Sequence, residues 1–317
     1  MSELAFKDKV VGMKQAVEEY VHDGDTVYLA GFIQGEPFAA VHEIIRQGKK
    51  DLTISTAAGT ILVDQLIGSG CTKRVISSYV WNPVPTSAHA FRRAIEQDIP
   101  HHIELEEYSL FALSLAYFAG ALDLPYVATK TLMGSDLAKR SGFLGDKKIS
   151  IQQSPFTGET VCLIPPLKHD VGIIQVQRSD AQGNAQLWGV EGPTKYGIQS
   201  CSRIIVCTEE IVEQEIVRRD PARTIVPGFK VSAVVEEPWG SHPSYVQGIY
   251  DRDWKYFPFY DESTKTIEGF NNFVKDWIMD IRDRKEYLAK VGDERLNKLR
   301  GSSLTSNPVD YGHYDVF

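Results

Sequence analysis

Residues 23–37 have the composition of a loop that binds a ligand through backbone N–H groups. Gly24 favours a tight turn, because glycine adopts positive φ without strain. Residues 26–30 form a short apolar run with β-branched and aromatic side chains, which predicts a buried strand. Gly31 then lets the backbone approach a ligand closely, and Pro37 favours the start of a helix. The pattern therefore predicts a strand, a loop with free amides, and a helix.

Three further groups of small or polar residues follow predicted strands. In open α/β sheets, ligands bind beyond the carboxyl ends of the strands. We therefore expect all four groups to converge at one edge of a sheet and to supply amide, hydroxyl and side-chain amide groups to a substrate. The candidate binding residues are Gly31, Phe32, Gln34, Ala57, Ala58, Gly59, Ser78, Tyr79, Asn82, Gly134 and Ser135.

The strands that carry these loops alternate with helical patterns along the chain. This alternation predicts an open, mostly parallel sheet with helices on both faces, an α/β fold. We expect a strand over residues 127–132, an exposed polar loop over residues 139–158, and a charged, solvated helix over residues 283–299. No linker is evident, so residues 1–300 are expected to form one domain and residues 301–317 a C-terminal tail.

Composition excludes several classes of function. The chain has 317 residues and a formal net charge of -8, which argues against nucleic acid as a partner. It has no run apolar enough to span a membrane and no apolar signal segment at residues 1–9, so we expect a cytoplasmic protein. The four cysteines lack Cys-x-x-Cys spacing and are expected to be reduced and buried.

No metal site is expected. His101 and His102 are adjacent on a predicted strand, so their side chains point to opposite faces and cannot easily share one ion. The chain also lacks the phosphate-binding loop of P-loop NTPases and the Gly-x-Ser-x-Gly elbow of serine hydrolases. These absences leave the glycine loop as the strongest indication of function.

The loop of residues 23–37 resembles the first signature of the family I coenzyme A transferases, in particular the α subunits of the glutaconate type. The likeness covers nearly the whole chain, although Ala30 stands where the family usually has glycine and the loop before Pro37 is shorter. It implies the open α/β sandwich that these enzymes share with relatives of the sugar-phosphate isomerases. Further similar segments are residues 37–53, 57–59, 131–135, 218–221 and 240–244.

The resemblance implies an enzyme that moves CoA between an acyl-CoA, short-chain or dicarboxylic, and a carboxylic acid such as acetate. It implies no permanently bound cofactor, because the coenzyme A thioester is itself the substrate. In two-subunit members the nucleophilic glutamate lies in a Ser-Glu-Asn-Gly motif of the β subunit, and this chain lacks that motif. The resemblance therefore implies a partner β subunit that carries the glutamyl-CoA thioester, with no catalytic nucleophile in this chain.

Two alternatives remain open at this point. Some relatives are hydrolases that open a ring of a CoA ester with a functional glutamate in the α subunit, whereas this chain has Leu110 near that position and Glu106 and Glu107 just before it. Other relatives decarboxylate a glutaconyl-type CoA ester with a cysteine of the β subunit. The second alternative is a non-catalytic subunit that only binds acyl-CoA. The residue at the catalytic position of the partner would separate transfer from the hydrolase and decarboxylase chemistries.

Overall fold

The computed structural model describes residues 8–81, 87–139 and 142–300. Asn82 and the expected tail of residues 301–317 lie outside these ranges. The strands are β1 (Thr26–Leu29), β2 (Leu52–Ser55), β3 (Thr72–Ser77), β4 (Glu104–Glu107), β5 (Val127–Thr129), β6 (Ser150–Gln153), β7 (Thr160–Ile164), β8 (His169–Val176), β9 (Arg178–Ser179), β10 (Ala185–Gln186), β11 (Cys201–Thr208), β12 (Thr224–Val226) and β13 (Ala233–Glu236). The α-helices are α1 (Met13–Tyr20), α2 (Phe38–Arg46), α3 (Ile61–Gly68), α4 (His89–Gln97), α5 (Leu110–Ala121), α6 (Thr194–Gln199), α7 (Gln214–Arg219), α8 (Tyr256–Thr264), α9 (Ile267–Val274), α10 (Arg284–Val291) and α11 (Asp293–Leu299).

A seven-stranded sheet organises the molecule. Its order is β13-β11-β8-β1-β2-β3-β4, and every neighbouring pair is parallel. The chain runs outward from β1 to β4 and then returns to β8 on the other side of β1. The strand order therefore reverses between β1 and β8, the place where open α/β sheets form a ligand crevice at the carboxyl ends of their strands.

Both faces of this sheet are covered, as the sequence predicts. Val27 and Leu29 of β1 belong to one hydrophobic cluster, whereas Tyr28 and Ala30 belong to a second. Successive side chains of a strand point to opposite faces, so the two clusters are the two sides of one sheet. The expected open, mostly parallel α/β fold is confirmed, and all four cysteines are buried free thiols.

Two small antiparallel sheets lie outside the main sheet. They have the orders β12-β10-β9 and β5-β7-β6. The strand expected at residues 127–132 is therefore shorter, and it pairs with β7 rather than with the parallel sheet. Residues 139–158 differ as well, because they include strand β6 and the buried Lys148 rather than one exposed loop.

Lys148 forms a buried ion pair with a carboxylate of the main sheet. Its ammonium lies 2.9 Å from Oε1 of Glu106 on β4, and the two side chains are 2% and 0% exposed. The other carboxylate oxygen, Oε2 of Glu106, accepts a hydrogen bond of 2.9 Å from the N–H of Leu144. A buried charge requires a partner of opposite sign. The partner of the Glu106 carboxylate is Lys148, which lies in a segment whose sequence is typical of a polar surface loop.

The C-terminal region adds helices α8 to α11 to the side of the sheet that carries α2. The expected charged helix over residues 283–299 is two helices separated at Gly292, which has a φ of 92°. Its expected solvation is also wrong at three positions, since Arg284 is 6% exposed, Tyr287 is 1% exposed and Leu296 is 7% exposed. Within the described ranges, no helix is both long and apolar enough to cross a membrane.

Candidate active-site wall

The loops that follow β2 and β3 form one continuous wall at the carboxyl edge of the main sheet. The N–H of Gly59 donates to the carbonyl of Tyr79 over 2.9 Å, and the N–H of Trp81 donates to the carbonyl of Gly59 over 2.8 Å. The hydroxyl of Ser78 donates to the carbonyl of Ala57. This pairing brings two of the four expected groups together, with the Ser78 hydroxyl used inside the wall.

Gly31 fixes the shape of the loop after β1. It has a φ of 106°, and a Cβ atom there would lie 2.9 Å from the carbonyl oxygen of Gln34 and 3.0 Å from Cα of Glu36. Ile33 also has a positive φ, of 61°. Residues other than glycine rarely adopt this conformation, so the loop folds back tightly on itself because Gly31 has no side chain.

Gln34 is used differently from the expectation that it orients a substrate. Its side chain is 2% exposed, and its Nε2 donates to the carbonyls of Trp188 (3.1 Å) and Val190 (2.8 Å). Its Oε1 accepts a hydrogen bond of 3.3 Å from the N–H of Gln247. The geometry thus assigns the Gln34 amide to internal contacts that hold the first loop.

Phe32 lies against the same neighbouring loop. A Cβ atom at Gly192 would be 2.7 Å from the ring of Phe32, so the aromatic ring packs directly on that glycine. The half-buried Phe32 ring is therefore placed by residues far away in the sequence.

Several amides of the expected set have no acceptor within the described part of the chain. They include the N–H groups of Gly31, Phe32, Ala57 and Ala58. Ala57 and Ala58 are 2% and 4% exposed, so their peptide groups lie in a dry environment. Preorganised amide donors away from water are the groups that stabilise a developing oxyanion.

Glu36 was missed by the sequence reasoning, although it lies between Gly35 and Pro37 in the first loop. Its side chain is 3% exposed, and one carboxylate oxygen accepts a hydrogen bond from the hydroxyl of Thr60. The other oxygen, Oε2, has no hydrogen-bond partner among the described residues. A buried carboxylate oxygen at this edge links the loops after β1 and β2 and adds negative charge to the wall.

Tyr79 lies within the electrostatic influence of both Glu36 and Arg252. Partial burial, and next the negative charge of Glu36, raise the pKa of Tyr79, while Arg252 acts in the opposite direction. The Arg252 guanidinium is 7% exposed and donates to the carbonyl of Ile33. Arg252 is distant from the loop in sequence, so no local pattern could have indicated it.

Glu209 is a second buried carboxyl group at this edge of the sheet. It follows β11, and burial raises its pKa to about 7. Its oxygens accept hydrogen bonds from Gln175 Nε2 (2.7 Å), the Tyr250 hydroxyl (2.8 Å) and the Trp239 N–H (2.6 Å). These contacts tie down the chain from Trp239 onward, in which the hydroxyl of Ser244 donates to the carbonyl of Ile33 over 3.2 Å.

The fourth expected group differs from the other three. Gly134 and Ser135 follow β5, which belongs to a small antiparallel sheet, so the argument from parallel strand ends does not apply to them. The Ser135 N–H and hydroxyl both bond to the carbonyl of Leu132, which closes a local turn. Asn82 lies outside the described residues.

The comparisons with known proteins agree with this architecture. The family model for coenzyme A transferase matches residues 10–237. The chain is 37% identical over 285 residues to the A subunit of 3-oxoadipate CoA-transferase from Pseudomonas knackmussii, covering 90% of this chain and 99% of that protein. It is 37% identical over 306 residues to the A subunit of glutaconate CoA-transferase from Acidaminococcus fermentans, covering 92% of this chain and 94% of that protein.

A solved structure shows the same fold. The crystal structure of glutaconate coenzyme A-transferase from Acidaminococcus fermentans matches with a TM-score of 0.86 and 35% identity, over 93% of this chain and 96% of that chain. Agreement of family model, sequence and structure over most of the molecule decides the classification. The chain belongs to the family I coenzyme A transferases and corresponds to their α subunit.

Proposed function

We propose that this chain is the α subunit of a two-subunit enzyme that moves CoA from a short-chain or dicarboxylic acyl-CoA to a carboxylic acid. The observation that carries the proposal is 37% identity, over almost the whole chain, to two proteins named as the A subunits of CoA-transferases. Their names refer to 3-oxoadipate and glutaconate, both dicarboxylic acids, and this supports an acyl group of that class.

The chemistry needs a carboxylate nucleophile, which we assign to a glutamate of the partner β subunit. The glutamate attacks the thioester carbonyl, expels CoA as a thiolate and forms a mixed anhydride. The thiolate then attacks the glutamyl carbonyl of that anhydride, releasing the first carboxylate and leaving a glutamyl-CoA thioester. The same steps in reverse, with the acceptor acid, give the new acyl-CoA.

In this scheme the α subunit lines the acyl side of the site. The amides of Gly31, Phe32, Ala57 and Ala58 are proposed as oxyanion donors, because no acceptor occupies them in the described residues. Tyr79, 48% exposed, presents a hydroxyl beside that wall. Gln34 and Gly59 are proposed to hold the loops in place, and Asn82, Gly134 and Ser135 stay predictions from the sequence.

The test is acyl exchange with both subunits present. This chain is co-expressed with a family β subunit, the complex is purified, and labelled acetate is followed into acetyl-CoA with a panel of acyl-CoA donors. We expect exchange that neither subunit supports alone and a glutamyl-CoA thioester that borohydride or hydroxylamine traps on the partner.

Three other outcomes would overturn the proposal. Release of free CoA without exchange would favour a hydrolase or ring-opening enzyme, and release of carbon dioxide would favour a decarboxylase. Acyl-CoA binding by the complex with no turnover of any donor would favour a non-catalytic binding subunit.

A further inference from the structure

The outward face of helix α5 is apolar along its whole length. The helix, Leu110–Ala121, contains no charged residue. Its polar side chains are both satisfied internally: the Ser114 hydroxyl donates to the carbonyl of Leu110 over 2.7 Å, and the hydroxyl of the buried Tyr117 lies 3.0 Å from Oγ of Ser55. A helix on the surface of a globular protein normally carries polar residues on the side that faces water. Their absence from α5 indicates a surface that another chain covers.

Four large side chains form a stripe on this face, which we call the α5 stripe. Phe111 and Leu122 are 60% and 51% exposed, and Leu115 and Phe118 between them are half-buried. The steps between these positions are four, three and four residues, which places them on one side of a helix. The ring of Tyr196 on α6 lies 4.9 Å from the ring of Phe118, edge to face, so it extends the apolar surface sideways.

The α5 stripe is complementary to itself. Its spacing is the same in both directions, so a second α5 that runs antiparallel brings Phe111 against Leu122 and Leu115 against Phe118. Every contact then joins an aromatic ring to a smaller aliphatic side chain, as interdigitated helix packing requires. Antiparallel helices also place opposite ends of their dipoles together. A two-fold axis makes each of these contacts twice from one surface.

The size of this surface matches the requirement of a stable dimer. Together with Leu110 and Tyr196, the α5 stripe exposes on the order of 400 Å² of apolar area, since a whole aromatic side chain contributes about 150–250 Å². Two copies would remove about 800 Å² of apolar area from water, and homodimer interfaces are about 65% apolar. The implied total of about 1,200 Å² is at the lower end of the range for specific interfaces.

The direction of α5 separates this surface from the candidate active-site wall. The helix follows the carboxyl end of β4, and the N–H of Leu167, just before β8, donates to the carbonyl of Ala116 over 3.0 Å. The helix therefore extends from the carboxyl edge of the main sheet toward the amino end of β8. A β subunit must reach the loops at the carboxyl edge under the proposed function, and a partner on the α5 stripe leaves that edge open.

We propose that the α5 stripe packs against the α5 stripe of a second copy of this chain, antiparallel about a two-fold axis. Any complex with the proposed β subunit then contains two copies of this chain. Mass is measured without turnover, so the outcome does not depend on the proposed transferase activity.

The experiment measures the mass of the full-length chain by sedimentation, both alone and in complex with a family β subunit. Phe111→Glu and Leu122→Lys each place a charge in the contact and should each raise the Kd of the dimer about a hundredfold or more, because two uncompensated charges would be buried per dimer. The double variant should recover most of this loss, since its opposite charges face each other across the two-fold axis. Glutamate in a first turn and lysine after a last turn suit the helix dipole, so the urea midpoint of the monomer should be unchanged.

Ile267→Glu and Met279→Lys are matched controls on the other face of the main sheet. They are 45% and 49% exposed, in the first turn of α9 and at the end of the helical turn that follows α9. Phe273 of α9 belongs to the first hydrophobic cluster, whereas α5 packs on the second. Neither control should change the mass of the dimer.

Two results would overturn the proposal. One is a wild-type chain that stays a single copy both alone and in the complex; loss of β-subunit binding in Phe111→Glu would then assign the α5 stripe to the β subunit. The other is a double variant whose loss equals the sum of the two single losses, because the charged positions would then not face each other.

Discussion

At the scale of single residues, the site depends on positions where the backbone tolerates only one side-chain size. Gly31 shows this clearly, because its neighbours would contact any Cβ atom and its φ is positive. The loop signature could be predicted from sequence, because a glycine between a buried strand and a helix indicates a positive φ or a close approach of the backbone. Only the folded loop shows that Gln34 and Glu36 are the residues whose backbone atoms leave no room for a Cβ atom at Gly31.

Replacing Gly31 by alanine should distort the amide donors of the first loop. We expect strain at positive φ to lower the free energy of unfolding by about 1–3 kcal/mol. Acyl exchange should fall by more than this loss of stability alone would cause. The control is Gly48→Ala, at a φ of 62° with no atom within 4 Å of the new Cβ. That variant should lose stability but keep exchange; equal activity in both would contradict the assignment.

Glu209 gives a prediction about pH. Its folded-state pKa of about 7 lies above the ordinary glutamate value of 4.5, so the folded protein binds more protons than the unfolded chain between those values. The folded state therefore loses stability through this group as pH rises from 4.5 to 7, by about 3 kcal/mol in total. Buried His242, with a pKa lowered to about 4, acts in the opposite direction between pH 4 and 6.5.

The difference between wild type and Glu209→Gln isolates the carboxyl group, since both proteins keep His242. Urea unfolding across pH 4.5 to 7 should show wild type losing stability relative to the variant as pH rises. A difference that is constant with pH, or that changes in the opposite direction, would show that the pKa of Glu209 is not raised in the folded protein.

At the scale of elements, the sequence predicted the alternation of strands and helices in the main sheet but misjudged three segments, residues 127–132, 139–158 and 283–299. Residues 139–158 read as an exposed loop, because polar residues and glycines dominate there. Composition does not reveal that Lys148 pairs with Glu106, since the two residues are distant in sequence and meet only when β4 is in place.

This ion pair should hold the segment that contains Lys148 against β4. Lys148→Met leaves a buried carboxylate without its partner and should cost about 3–5 kcal/mol in the free energy of unfolding. The double variant Glu106→Gln with Lys148→Met should recover much of that loss. Denaturation of the single and double variants measures the coupling, and losses that simply add would contradict a direct interaction.

At the scale of the whole molecule, we expect a partner subunit to dock where exposed aromatic side chains lie beside the candidate site. Trp81 and Tyr79 are 47% and 48% exposed, next to the wall formed by the loops after β2 and β3. Aromatic residues are enriched at the energetic centres of protein interfaces. Under the proposed function, a partner that supplies the nucleophile must also approach this edge of the sheet.

Trp81→Ala should weaken association with the β subunit by about 2 kcal/mol or more while leaving the stability of this chain unchanged. Phe229→Ala is the matched control: this side chain is 84% exposed and lies before the amino end of β13, away from the carboxyl edge. Binding by calorimetry or sedimentation compares the two. Equal effects would place the partner elsewhere.

The sequence by itself determined the α/β class, the carboxyl-edge loops after β1, β2 and β3, and the family, because strand propensity, glycine turns and motif spacing are local properties. Only the tertiary structure decided that Gln34 is buried in internal hydrogen bonds, that β5 belongs to another sheet, and that Glu36, Tyr79 and Arg252 share one electrostatic environment. The physical reason is the same in each case: these outcomes depend on contacts between residues far apart in the chain, which neither periodicity nor composition encodes.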